Sequence, residues 1–211
     1  KSFKKYLHIA NKKGIITPIS FNDIKNKSFL GNRTFLMPEE LQKFNEYWES
    51  SFIKPAHKNI LSQFLFSCFT GLRFSDVIKL VPDNLIENTV VFTAEKTGKF
   101  QRVTLSQSAK KYIGKKPIFN EIFTNEYVNR ELKDIAATLG IRKKITFHVS
   151  RHTFATNFLI CGGRVEHLQK ILGHSKITDT MIYVHIVDQI TDIQICNMDE
   201  ILVKTTELKN N

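Results

Sequence analysis

Cysteine is scarce in this 211-residue chain: Cys68, Cys161 and Cys196 stand far apart, odd in number, in apolar surroundings without CxxC or CxH spacing. Such a set excludes a disulfide framework and a thiolate metal cluster, and the three read as reduced core residues. Tryptophan occurs once against 17 phenylalanines, an imbalance that points to helices packed through phenylalanine and says nothing of chemistry. No apolar run approaches the roughly 20 residues of a membrane-spanning helix, and no signal-peptide pattern opens the sequence. The expectation is an intracellular protein with no membrane association. There is no internal repeat and no low-complexity tract. Acidic residues are in deficit, 20 against 31 lysines and arginines, for a formal charge of +11. A polyanionic partner, nucleic acid first, fits that balance, although ribosomal, secreted basic and membrane-surface proteins share it.

What is present reads mainly as helix. Residues 1–13 look like the end of an amphipathic helix closed by Gly14, followed to about Arg33 by a linker bearing Pro, Ser and Asn without a period. Pro38 opens a helix with Glu39 and Glu40 at its positive end and Leu41, Phe44, Tyr47 and Trp48 on one face. A second helix carries Ile60, Leu61, Phe64, Leu65, Cys68 and Phe69 and stops at Thr70-Gly71. A short helical piece over 75–80 is ended by Pro82, and two strands, 89–93 and 102–105, are joined through a turn containing Gly98. Helices follow over 106–113 and 125–139, the latter capped by Thr124 and stopped by Gly140. After a β-like run at 145–147 come helices over 149–160, 164–172, 178–186 and 198–204. The fold class is mainly α with a small antiparallel β-sheet.

Five polar segments stand where an element has just ended, positions that expose side chains. In TGLRFSD, Arg73 sits in a break between two apolar helices with Asp76 three residues on; alone, it would read as a surface arginine capping the first helix. Lys96 and Lys99 lie in the turn between the strands. In HVSRH, His148 opens a helix and Arg151 lies about one turn along, so both can face one anion, with helix-terminal N–H groups and a guanidinium fork favouring phosphate. His148 and His152 also have the four-residue spacing of a metal pair, without an HExxH glutamate or an obvious third ligand. His174 follows a helix stop in LGHS, and Tyr183 comes nine positions later in an apolar stretch where a tyrosine ordinarily serves the core.

Taken in order, TGLRFSD, AEKTGK, HVSRHTFAT, LGHS and IYVHI resemble the tyrosine recombinase or phage integrase family over about residues 34–190, and within it the integrases of conjugative transposons. Val149 stands where many members have leucine, a change of packing alone. The resemblance implies the tyrosine recombinase catalytic-domain fold over 34–211 with a C-terminal tail helix, and over 1–33 the end of a core-binding domain plus an interdomain linker. It implies one active site in which Arg73 and Arg151 grip the scissile phosphate of double-stranded DNA and His148 and His174 hydrogen-bond it. Lys96, preferred over Lys99 because it matches the lysine that begins the KTGK turn, would approach the leaving oxygen. Asp76 would buttress the arginines, and Tyr183 would attack. No cofactor or metal is implied. A synaptic tetramer on DNA, accessory DNA-bending proteins and a DNA-associated bacterial cytoplasmic setting are. The apolar tail residues Ile186, Val187, Ile190, Ile193, Ile195, Ile201 and Leu202 would dock on a neighbouring protomer.

The chemistry is consistent with that set. Phenol attack on a phosphodiester builds charge on nonbridging and axial oxygens, which fixed guanidiniums and imidazoles stabilise. A phenol of reference pKa about 10 also needs an acceptor, for which His148 is the residue expected. A 3′-phosphotyrosyl intermediate keeps the phosphodiester energy for religation. Three rivals stay open: a type IB topoisomerase-like enzyme, a metal-dependent nuclease, and a non-catalytic basic DNA-binding module in which all five segments are structural. The recognised DNA sequence, the direction of recombination and the choice between cleavage in cis and in trans are not encoded legibly.

Overall fold

The structure is a computed structural model that describes residues 6, 9–15, 33–114 and 117–197, with side chains as far as residue 192. The chain divides into two units, Lys1–Asn32 and Arg33–Asn211. In the first, residues 9–12 are helical and turn at Gly14, whose φ is +74°. Most of the expected linker and the expected helix over 198–204 lie outside the described residues.

The second unit runs α1 (Pro38–Glu49), α2 (Pro55–Thr70), α3 (Phe74–Val77), β1 (Leu85–Ile86), β2 (Thr89–Thr93), β3 (Phe100–Thr104), α4 (Gln107–Lys110), α5 (Asn125–Thr138), α6 (Phe147–Ile160), α7 (Val165–Leu172) and α8 (Thr178–Asn197). Proline at the first turn starts both α1 and α2, where no N–H is missed. The Glu40 carboxylate accepts from the Met37 N–H at 2.8 Å. Helix α2 ends at Gly71, and glycine is required there twice over. Its φ is +71°, and a Cβ would lie 2.6 Å from the Phe154 ring.

Helix α2 is buried along most of its length and forms the axis of the core, with α1, α5 and α6 packed around it. Phenylalanines knit these helices together: Phe44–Phe64 at 5.4 Å, Phe64–Phe147 at 6.0 Å and Phe74–Phe147 at 5.0 Å between ring centroids. Small polar side chains let α2 and α6 approach closely, with the Ser67 and Ser150 hydroxyls 2.6 Å apart inside the core. Thr153 on α6 accepts from the Leu36 N–H at 2.9 Å, which fastens the segment preceding α1 to the same helix. Beyond this main core lies a smaller one. Ala155, Leu168, Leu172 and Tyr183 are buried together there, with Phe154, Phe158, Ile182 and Ile186 around them. Helix α6 contributes to both cores, so the boundary between them runs along its first two turns.

The sheet is antiparallel in the order β1-β2-β3, with Val91 opposite Arg102 and Thr93 opposite Phe100. The two-residue β1 is missed by periodicity because it is too short to show an alternation. Residues 145–147 form no strand; Phe147 already begins α6, and the Asn129 side chain of α5 accepts its N–H at 2.7 Å as the cap. Helix α4 stops at Lys110, well short of residue 113, and Tyr112 then turns inward onto Trp48 with centroids 5.0 Å apart. Helix α8 is twenty residues long, more than twice the expected span. Cys161 is exposed, contrary to the expectation of a core residue, because it caps α6 just before Gly162-Gly163; Cys68 is buried as expected.

Phe64 touches both Phe44 and Phe147 with no solvent exposure, so Phe64→Ala is expected to lower the unfolding free energy by about 3–5 kcal/mol in denaturant titration.

Candidate active site

The site is built around a buried cation. Arg151, 4% exposed, donates from Nη1 to the Gly71 carbonyl at 2.6 Å and from Nη2 to the Leu172 carbonyl. These carbonyls belong to the C-terminal ends of α2 and α7, the negative ends of two helix dipoles. Carbonyls satisfy the N–H groups without cancelling the charge as a carboxylate would. Burial, and then Arg73, lower the Arg151 pKa to about 10, so it remains charged at neutral pH.

Arg73, which precedes α3, also reaches the Leu172 carbonyl, at 3.4 Å, and its Nη1 lies 4.0 Å from Asp76 Oδ2. Asp76 is 4% exposed and uses Oδ1 to accept from the Glu95 N–H at 2.9 Å. One carboxylate thus ties the arginine to the start of the β2–β3 turn. That turn closes on itself through the Ala94 N–H to Lys99 carbonyl bond at 2.9 Å, with Gly98 at φ +64°. Lys96 is held at the turn's exposed edge. Lys99 instead donates to Ser175 at 3.3 Å, and β3 packs its Gln101 side chain against Gly173. These contacts set the loop carrying His174 beside the turn carrying Lys96.

Residues from six segments line a cleft of about 420 Å³: Arg33, Arg73, Lys96, His148, Arg151, His152, His174 and Tyr183 are all on its wall. Lys99 is not among the lining residues. A second cleft of about 340 Å³ shares Arg73, Lys96, His148 and Arg151 and continues over Ser75, Asn125, Asn129 and Thr146. The cations outnumber the carboxylates on the first cleft, where Asp179 is the acidic member. A cleft of this size, walled by fixed guanidiniums, admits a phosphate and stabilises charge that grows on its oxygens.

The histidines differ in their tethering. His174 Nδ1 pairs with the buried Thr180 hydroxyl at 2.9 Å, which orients the ring. His152 Nδ1 lies 2.8 Å from the Tyr183 hydroxyl, and its ring meets that of His148 edge to face at 4.5 Å. His148 itself is exposed at the cleft. All three are held below the ordinary imidazole pKa: desolvation leads in each case, followed by neighbouring positive charge, and brings His152 to about 3 and His174 to about 4. Tyr183 is 2% exposed, and its pKa is raised because desolvation outweighs the opposing pull of Arg151, Arg33 and Arg73.

The six residues expected to share a site, and Asp76 behind them, therefore meet around one cleft. Residue by residue there are two differences from the sequence reading. His152, not His148, bonds the Tyr183 hydroxyl. Arg33 joins the cleft from a stretch with no periodic signal. The sequence does hold a sign of His152, which lies one turn past His148 and directly after Arg151 on the same helix. As for metal, His152 Nδ1 is engaged with the phenol, and among the described residues no group of three His, Cys, Asp or Glu side chains is disposed to hold an ion.

A profile of the phage integrase family matches residues 34–189. This chain belongs to that family. It is 36% identical over 118 residues to the integrase of Escherichia phage P2, covering 55% of this chain and 34% of that protein. The fold is that of the XerH site-specific recombinase bound to its palindromic difH substrate, with a TM-score of 0.69 and 21% identity over 88% of this chain and 59% of the other. The Tn1549 transposon integrase in complex with a circular-intermediate DNA superposes with a TM-score of 0.67 at 17% identity, over 86% and 72% of the two chains. The tyrosine recombinase catalytic-domain fold expected from the sequence is thus the one observed. The chain spans about a third to a little over half the length of the curated relatives it matches.

Histidines that stay neutral in the fold and protonate when unfolded make the unfolded state the better proton binder below pH about 6.5. Unfolding free energy is therefore expected to be flat above that pH and to fall as pH drops toward the folded values. The buried His152 contributes up to about 1.4 kcal/mol per pH unit. Denaturant titrations at pH 7 and pH 5 check this, and His152→Asn should flatten the slope.

Proposed function

We propose that this chain is the catalytic part of a site-specific DNA recombinase that cuts and rejoins double-stranded DNA through a 3′-phosphotyrosyl intermediate. The observation that carries the reading is the convergence of Arg73, Lys96, His148, Arg151, His174 and Tyr183 on one phosphate-sized cleft. Arg73 and Arg151 hold the nonbridging oxygens, with His148 and His174 as flanking donors. Asp76 fixes Arg73 and the root of the Lys96 turn without touching DNA. The Tyr183 oxygen attacks phosphorus as the bond to the 5′ oxygen breaks; its hydroxyl proton passes to His148 on the same cleft, and Lys96 supplies the proton that the 5′ oxygen takes up. A free 5′ hydroxyl attacking the phosphotyrosine reverses the step and joins strands without ATP. Tyr183 shares its cleft with the arginines of its own chain, which supports cleavage of the half-site that the same domain grips.

The net charge of +11 supports a clamp on the phosphate backbone, with affinity that falls steeply with salt. Kinship with a phage integrase supports service to a mobile genetic element, the class that includes the conjugative-transposon reading. Residues 1–33 as the end of a core-binding domain and a linker, a synaptic tetramer, accessory DNA-bending proteins and tail exchange between protomers belong to the same proposal.

A pool of nicked duplexes with randomised cores, incubated with the chain in the presence of a chelator and run on a denaturing gel, is expected to yield a protein–DNA adduct. Tyr183→Phe should yield none, and Arg151→Ala should form it about 10²- to 10³-fold more slowly. An adduct that survives Tyr183→Phe, or one that chelation abolishes, overturns the mechanism.

A further inference from the structure

We propose that His152 is the positioning residue of the nucleophile: its Nδ1 accepts the Tyr183 hydroxyl hydrogen bond at 2.8 Å and holds the phenol oxygen in the cleft lined by Arg73 and Arg151. The inference rests on the reading of Tyr183 as the attacking group. His152 follows Arg151 directly on α6, whereas Tyr183 lies on α8, so the bond locks the nucleophile's helix to the helix that carries the buried arginine.

The geometry leaves little freedom. The His152 ring is set edge to face against His148 at 4.5 Å and 81°, and its centroid lies 5.7 Å from that of Tyr183. His152 is 7% and Tyr183 2% exposed, so little of either partner is open to water. The groups facing His152 are His148, Arg33, Arg151 and His174, all cationic or potentially so, and with desolvation they keep the imidazole neutral at working pH. A neutral ring bonded to a phenol O–H through Nδ1 carries its own proton on Nε2. With burial raising the Tyr183 hydroxyl above the ordinary phenol value and His152 held at about 3, the proton stays on the phenol in the resting site. His152 therefore aims the hydroxyl and does not strip it. His148, exposed beside the guanidiniums, is left free to face the phosphate.

Two substitutions separate aim from packing. Asparagine places its Oδ1 near the former Nδ1 and keeps an acceptor, whereas leucine fills the space without one. In the chain labelled with ¹³Cζ-tyrosine, the Tyr183 resonance, assigned by its loss in Tyr183→Phe, should move in His152→Leu and stay close to wild type in His152→Asn. With the nicked duplex pool, His152→Leu should slow single-turnover adduct formation by about 10²-fold with DNA-binding midpoints unchanged, and His152→Asn should recover most of the rate. If the leucine variant does not fold, His152→Ala replaces it. Wild-type rates in the leucine variant, or equal losses in leucine and asparagine, overturn the positioning role while the nucleophile reading stands. An adduct that persists in Tyr183→Phe overturns both.

Discussion

The site depends on how one buried guanidinium is satisfied. Among the described residues Arg151 has two helix-terminal carbonyls as partners and no carboxylate, so its hydrogen bonds are met while its charge is left standing. Leaving those N–H groups bare would cost several kcal/mol, and pairing them with an acid would spend the field an anion needs. The same two bonds fix geometry. Gly71 ends α2 one residue before Leu72 and two before Arg73, and Leu172 ends α7 two residues before His174, so satisfying Arg151 brings three separate segments to one place.

The electrostatics of the remaining side chains follow from that standing charge. Histidines near it are held neutral, and the phenol is drawn toward ionisation by the cations while burial pushes harder the other way. The resting cleft is thus positive, its imidazoles are uncharged donors and acceptors, and its tyrosine is protonated. An arriving phosphate meets a field set by rigid elements, which costs no reorganisation at the moment of reaction. Asp76 offsets the local excess at one point and uses its second oxygen to hold the Lys96 turn.

Much of the fold was legible because its signals are local. Pro38, Thr124, Gly71, Gly140 and Gly173 mark element ends by stereochemistry that does not depend on distant neighbours. The signals failed where a distant partner decides. The start of α6 is capped by Asn129 from another helix, α4 is cut short so that Tyr112 can reach Trp48, and β1 exists by pairing with β2 alone. Cys161 looked like a core residue from its apolar neighbours, yet it sits on a helix end that turns outward.

The order and chemical type of the candidate residues, the excess of positive charge and the helical class with a small sheet were determined by the sequence itself, since spacing and residue type carry them. Tertiary structure decided which nitrogen meets the Tyr183 hydroxyl, that Arg33 enters the cleft, and that Arg151 rests on backbone carbonyls. Those are contacts between segments 21 to more than 100 residues apart, and what selects them is the packing of α6 against α2 and α8, for which no single segment holds a local signal.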